Sequence, residues 1–212
     1  GVPLPDLNSP ESVPEIRRIC ESKGIVLSYP NSDKKTGNGS DGDADAAEIR
    51  WIVDKLISQL IEPECVSPTF LVNPPLCLSP LAKELNQDHP QAKNAFPTAV
   101  AARFELFVGG YELINAYQEL NDPEEQRERF AAQEAARGAG DVEAAPADDE
   151  FCDSLEYGMP PAAGWGLGVD RLMMLFSGVS HLREILLFPV NKPEALLAEE
   201  EEEEQPDEGK QC

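Results

Sequence analysis

Two runs of β-forming residues, 103–108 and 111–117, are separated only by Gly109-Gly110, and this arrangement restricts the fold more than any other feature of the chain. Paired glycines supply the positive φ angles that a two-residue turn demands, so the spacing predicts an antiparallel hairpin. The hairpin carries an unusual load: Glu105, Glu112, Asn115 and Glu119 stand among apolar residues, although carboxylates are seldom buried without a partner. Counting by two, Asn115, Tyr117 and Glu119 share one face, giving a polar pocket with an aromatic wall that suits a cation on a long aliphatic stem. Glu112 falls on the opposite phase and joins that face only if a bulge or twist intervenes near Leu113. Brought together across the turn, Glu105 and Glu112 would suit Mg²⁺ held between protein and phosphate. The alternative is that both are solvent-facing strand residues.

The rest of the chain supplies a frame. Ser9-Pro10-Glu11 opens a short helix over 10–23 carrying Val13, Ile16 and Ile19, with proline at the first helical position. Ile49, Ile52, Val53, Leu56, Ile57 and Leu60 recur at helical spacing and describe a core helix. Residues 69–72 predict a short strand. Asp122 as N-cap, Pro123 behind it and Glu125 placed for a capping box start a helix that runs to about Arg137. A strand over 165–169, a helix over 172–176 and a buried strand over 184–188, around Ile185-Leu186-Leu187, complete the elements. Segments 30–47 and 85–99 are polar loop insertions and 138–149 is a loop. The unbroken run Glu199 to Glu204 marks 194–212 as an acidic, disordered tail.

Forty acidic against 17 basic side chains give a net charge of −23, the wrong sign for a surface that neutralises many phosphates, so extensive nucleic-acid contact by this segment alone is disfavoured. Five cysteines without a CxxC pair and only two histidines suggest neither a zinc site nor a disulfide framework, which favours a reducing compartment. No apolar run reaches the roughly 18 residues of a membrane span.

Gly164, Gly166 and Gly168 clear one side of their strand, so that a flat ligand can lie on the backbone, and Arg171 at the next helix start can reach phosphate oxygens. Glycines for tight packing and an arginine paired to a carboxylate are the plain alternative.

Ser67-Pro68-Thr69-Phe70, Ser79-Pro80-Leu81-Ala82-Lys83, Asn115-Ala116-Tyr117-Gln118-Glu119-Leu120-Asn121-Asp122 and Leu155-Glu156-Tyr157-Gly158-Met159-Pro160-Pro161 precede the glycine-rich strand. In words, order and spacing the chain resembles the class II lysyl-tRNA synthetase family over almost its whole length, and 164–171 looks like the third signature motif of class II. That resemblance implies an α+β fold, an antiparallel sheet flanked by helices, incomplete here and spanning 1–193. It implies that Glu119 pairs with the ε-ammonium of lysine, that Asn115 and Tyr117 complete the pocket, and that Gly164 and Gly166 floor it. By the same resemblance Glu105 and Glu112 hold Mg²⁺ and contact ATP, Arg171 with Gly168 beside it binds the terminal phosphate, and Glu156 is a neighbour.

The implied reaction joins lysine to ATP as lysyl-adenylate and then transfers it to tRNA(Lys). The first and second class II motifs and the anticodon-binding domain of the family have no counterpart here, so the resemblance implies a segment inactive by itself and cut from a longer, homodimeric protein. The phrase over 168–178 is closer to organellar, fungal-type enzymes, implying a mitochondrial location. Two rivals remain. A stand-alone paralogue that lysylates a translation factor is disfavoured by Gly166, and a degenerate half-domain is disfavoured by retention of Glu105, Glu112, Asn115, Glu119 and Arg171.

Overall fold

The computed structural model describes residues 5, 7, 12–25, 41–86, 98–138, 144 and 146–189, with the backbone alone over 41–47. The chain divides into two compact units, Gly1–Gly168 and Val169–Cys212. In the first unit, helix α1 (Ser12–Ser22) packs on α2 (Asp41–Leu56) through Val13, Ile16, Cys20, Ile49, Ile52 and Val53. Each fully buried aliphatic side chain of this kind contributes about 1.5–3 kcal/mol, and an Arg17–Glu48 ion pair spans the two helices at the surface. Of the predicted apolar period, Ile49, Ile52 and Val53 are buried in this core and Leu56 and Ile57 pack against it, whereas Leu60, beyond the end of α2, is 49% exposed.

α2 starts well before that stripe, within the segment expected to be a loop. Ala44, Ala46 and Ala47 have the highest helix propensity of any residue type, and that intrinsic preference carries the backbone where no apolar period signals it. Past Leu56 the helix widens into one π-helical turn, Ile57–Ile61. Most of 30–47 and 85–99, and all of the 194–212 tail, lie outside the described residues.

Four antiparallel strands form one sheet in sequence order: β1 (Thr69–Val72), β2 (Arg103–Val108), β3 (Tyr111–Gln118) and β4 (Ala163–Leu167). β2 and β3 are the predicted hairpin, closed by Gly109 at φ 63° and Gly110 at φ 80°, the left-handed pair that matches the turn to the strand twist. Leu106 pairs with Ile114 but Phe107 pairs with Glu112, so Leu113 is an extra, bulged residue. Directly opposed residues share a sheet face, and the bulge therefore shifts Glu112 onto the face of Arg103, Glu105 and Phe107. The opposite face carries Phe70 and Phe104 in edge-to-face contact, ring centroids 5.6 Å apart, and Trp165 with 68% of its surface exposed.

Helix α3 (Pro123–Gly138) starts as its capping residues foretell: Asp122 Oδ1 accepts the Glu124 and Glu125 N–H groups at 2.9 and 3.2 Å. The Glu125 carboxylate itself pairs with Arg129 one turn on. A further helix, α4 (Asp149–Leu155), is not anticipated by the sequence reading. Its signal is Asp148, whose side chain accepts the Phe151 N–H at 2.8 Å. α4 docks on α3 through Phe151 against Phe130, centroids 6.1 Å apart, and through Arg127, which donates to Asp153 and Glu156 at 2.7 Å each.

In the second unit, α5 (Val169–Ser177) follows β4 after Gly168 alone. The strand expected over 184–188 is not formed. Leu182–Glu184 make a short 3-10 turn closed by a capping box between His181 and Glu184, and Leu187 and Phe188 are 90% and 92% exposed. A strand needs a ladder partner for its backbone groups; among the described residues no strand pairs with 184–188, and the Glu184 and Ile185 N–H groups go to the His181 and Leu182 carbonyls of the turn.

Candidate functional site

The sheet register puts Glu105, Glu112, Asn115, Tyr117, Gly164 and Gly166 on one face, and it does not include the predicted Gly168 and Arg171. Glu105 pairs with Asn115, and Asn115 in turn with Gly166. Arg103 pairs with Tyr117, which in turn pairs with Gly164. Two residues beyond Tyr117, Glu119 continues the same phase and is held as an isolated bridge to Ala82. Glu112 joins through the Leu113 bulge. The two glycines serve different neighbours. A Cβ at Gly164 would overlap Glu119 Oε1, with Glu119 Cδ at 3.6 Å, so that glycine makes room for the carboxylate. Above Gly166 nothing lies within 4 Å, which leaves open space beside Asn115. Gly168 donates its N–H to the Leu113 carbonyl at 2.9 Å, tying the end of β4 to the bulge.

Burial governs the charges. Desolvation pushes the Glu119 carboxyl above the usual glutamate range. It does the same to Glu105, where nearby Glu112 and Glu62 push further and the Arg103 guanidinium pulls back. Tyr117 is pushed up by burial and by the Glu119 charge. A cavity of about 300 Å³ borders this end of the face, lined by Arg50, Trp51, Asp54 and Glu62 together with Arg103 and Glu105. Glu62 follows directly on the π-helical turn, which is how α2 delivers a third carboxylate near Glu105.

Arg103 is the residue that spacing does not single out. Its Nε donates to Asn115 Oδ1 at 3.0 Å, its Nη1 to Ser79 Oγ at 2.9 Å and the Leu78 carbonyl at 3.2 Å, and its Nη2 to the Glu105 carboxylate. The acceptors come from separated segments that meet only in the fold. Glu156, expected as a neighbour of the site, pairs instead with Arg127 on α3. Arg171 lies on the first turn of α5, in the second unit, and is exposed.

Segment 79–83 braces the C-terminal end of β3. The Lys83 N–H donates to the Gln118 carbonyl at 2.8 Å and the Leu120 N–H to the Leu81 carbonyl at 3.0 Å, one on each side of Glu119. α3 grips this segment: Arg129 donates to the carbonyls of Ser79, Pro80 and Ala82, and Gln126 Nε2 to that of Pro80 at 3.3 Å. Lys83 Nζ reaches Asn121 Oδ1 at 2.9 Å. Arg129→Met removes the guanidinium from the carbonyl of buried Ala82, while the Ser79 carbonyl keeps the Ala82 N–H and the Pro80 carbonyl keeps Gln126 Nε2; it is expected to cost about 1–3 kcal/mol of stability, measured by urea unfolding. A loss under about 0.5 kcal/mol would show that the grip is incidental.

The family model described as class II tRNA synthetases (D, K and N) matches residues 9–192. A protein named probable cytoplasmic lysine--tRNA ligase from Encephalitozoon cuniculi is 38% identical over 188 residues, 89% of this chain and 32% of that protein. The lysine--tRNA ligase of Deinococcus radiodurans is 48% identical over 149 residues, 70% of this chain and 27% of that protein. That of Pelotomaculum thermopropionicum is 39% identical over 190 residues, 89% of this chain and 33% of that protein. The chain thus spans about a third of the length of the curated relatives it matches.

Proposed function

This chain belongs to the class II tRNA synthetases of the D, K and N group, and from that premise we propose that it forms the lysine-binding part, with ATP contacts, of a lysine--tRNA ligase. The observation that carries the reading is the Glu119 carboxylate lying over Gly164, on the same face as Asn115 and Tyr117 and beside open space above Gly166. A desolvated carboxylate at the end of a polar and aromatic pocket selects a side chain ending in a cation, because a neutral ligand would leave the charge unpaired. Tyr117 lines the aliphatic stem and Asn115 meets the backbone end of the amino acid.

Glu105 and Glu112 offer hard oxygen donors on one face, close enough that the charge of one raises the other. That donor set fits Mg²⁺, which would supply charge neutralisation for ATP phosphates. Arg171 would bind the terminal phosphate. The lysine carboxylate oxygen attacks the α-phosphorus of ATP, the α–β phosphoanhydride bond breaks, and pyrophosphate carries away the electron pair. The terminal adenosine hydroxyl of tRNA(Lys) then attacks the carbonyl carbon of the adenylate, the carbonyl–phosphate anhydride bond breaks, AMP leaves with the electron pair and the hydroxyl proton is released. No side chain of this protein becomes covalently bound; its residues position the reactants and balance charge. The same reading takes 1–193 as catalytic and 194–212 as an acidic tail, makes the full-length protein a homodimer, and locates it in mitochondria, which sedimentation and cell fractionation test.

Lysine-dependent ATP–pyrophosphate exchange by the full-length protein tests the activity. Its pH dependence tests the site. With the Glu119 carboxyl pushed up by desolvation, the ionised form that pairs with ammonium is lost on acidification, beginning above the ordinary carboxylate range. The lysine KM is therefore expected to rise as pH falls toward 4.5, while Glu119→Gln gives a flat lysine KM. Exchange that is independent of lysine, or equal with ornithine and lysine, would overturn the proposal.

A further inference from the structure

The geometry points to Arg103 as a positioning residue that fixes the direction of the Asn115 amide and thereby the recognition of the substrate α-carboxylate, an inference that rests on the lysine reading above. A guanidinium carries donors and no acceptor. The Asn115 group facing Arg103 Nε at 3.0 Å must therefore be its oxygen, and the Nδ2 hydrogens are turned the other way. A primary amide on a strand surface otherwise flips at little cost, presenting oxygen or NH₂ as the solvent dictates. Here the flip would set NH₂ against a cation whose side chain is only 16% exposed.

Arg103 is in turn immobilised by the Ser79 hydroxyl, the Leu78 carbonyl and the Glu105 carboxylate, so the direction is imposed by the fold rather than by ligand. Asn115 pairs with Gly166 across the β3–β4 ladder, and the space over Gly166 is open. A fixed donor beside open space recognises an acceptor and repels an amine. Since Glu119 takes the ε-ammonium, the acceptor left on lysine is its carboxylate, which also carries the attacking oxygen. Arg103 thus acts through Asn115 and touches no substrate atom.

Cadaverine, which is lysine without the carboxylate, separates this role from simple structural support. In the full-length protein, Arg103→Met is expected to weaken lysine binding about tenfold or more and to change cadaverine binding less than about twofold, by isothermal titration. Arg103→Lys should recover part of the lysine affinity. Asn115→Asp keeps the acceptor for Arg103 but removes the NH₂ donor, and is expected to reproduce the carboxylate-specific loss without deleting a buried cation. Equal losses for both ligands in Arg103→Met, or wild-type lysine affinity in Asn115→Asp, would overturn the inference while leaving the lysine reading intact. Wild-type protein that binds neither lysine nor cadaverine would overturn that reading, and this inference with it.

Discussion

Glu119→Gln is expected to lower kcat/KM for lysine by roughly 10³-fold, because removing one partner of a desolvated ion pair leaves the other charge uncompensated at about 3–5 kcal/mol. The same substitution should not destabilise the protein. Burial raises the Glu119 carboxyl, so the folded state holds that proton more tightly than the unfolded state. The contribution of this group to stability is full at acid pH and is lost as pH rises through the raised value. At neutral pH the ionised carboxylate without substrate therefore opposes folding, and a neutral isostere relieves it. Activity and stability should move apart: lysine exchange nearly gone, Tm unchanged or higher. A fall in Tm that accounts for the lost activity, or a kcat/KM within tenfold of wild type, would remove Glu119 from the recognition of lysine.

That Glu119, Asn115 and Tyr117 share a face is legible in the sequence because a strand has a period of two and nothing between 115 and 119 disturbs it. Glu112 is legible only conditionally. Its phase is wrong by one residue, and the correction resides in Leu113, an apolar residue with no local mark of a bulge except the conflict it resolves. The Gly109-Gly110 turn fixes the hairpin, and the bulge beyond it decides whether the two carboxylates share a face. Asp148 as a cap was available in the sequence but lay next to a small, acidic stretch that reads as loop. Over 184–188 the apolar run signals surface in need of cover, and hydrophobicity does not report whether a neighbouring strand exists to pair with it.

Arg103 lies outside what spacing can reveal. Its importance comes from Leu78, Ser79, Glu105 and Asn115 converging on one guanidinium, and that convergence requires the 79–83 segment to be drawn against β3 by Arg129 and Gln126. Conversely, the glycines of β4 are conspicuous in the sequence, but their division of labour is not. Only the register assigns Gly164 to Tyr117 and Glu119 and Gly166 to Asn115.

Alanine at those two glycines should therefore produce different defects. At Gly164 the new Cβ overlaps Glu119 Oε1. The obstacle is the end of a side chain, so the fold survives while the carboxylate swings out of place, and lysine affinity is expected to drop about 100-fold, most of the cost of an unpaired ammonium. At Gly166 the new Cβ meets nothing within 4 Å, so stability should stay within about 0.5 kcal/mol of wild type. The methyl group then occupies space that ligand needs, and the defect emerges only on binding: the rise in Tm that saturating lysine and ATP give the wild type should shrink, since that rise tracks affinity. Thermal melts of the full-length protein with and without ligands distinguish the two. If Gly166→Ala retained the full ligand-induced rise, the open space beside Asn115 would not be where substrate binds. If Gly164→Ala bound lysine normally, Glu119 would have to recognise it from another position.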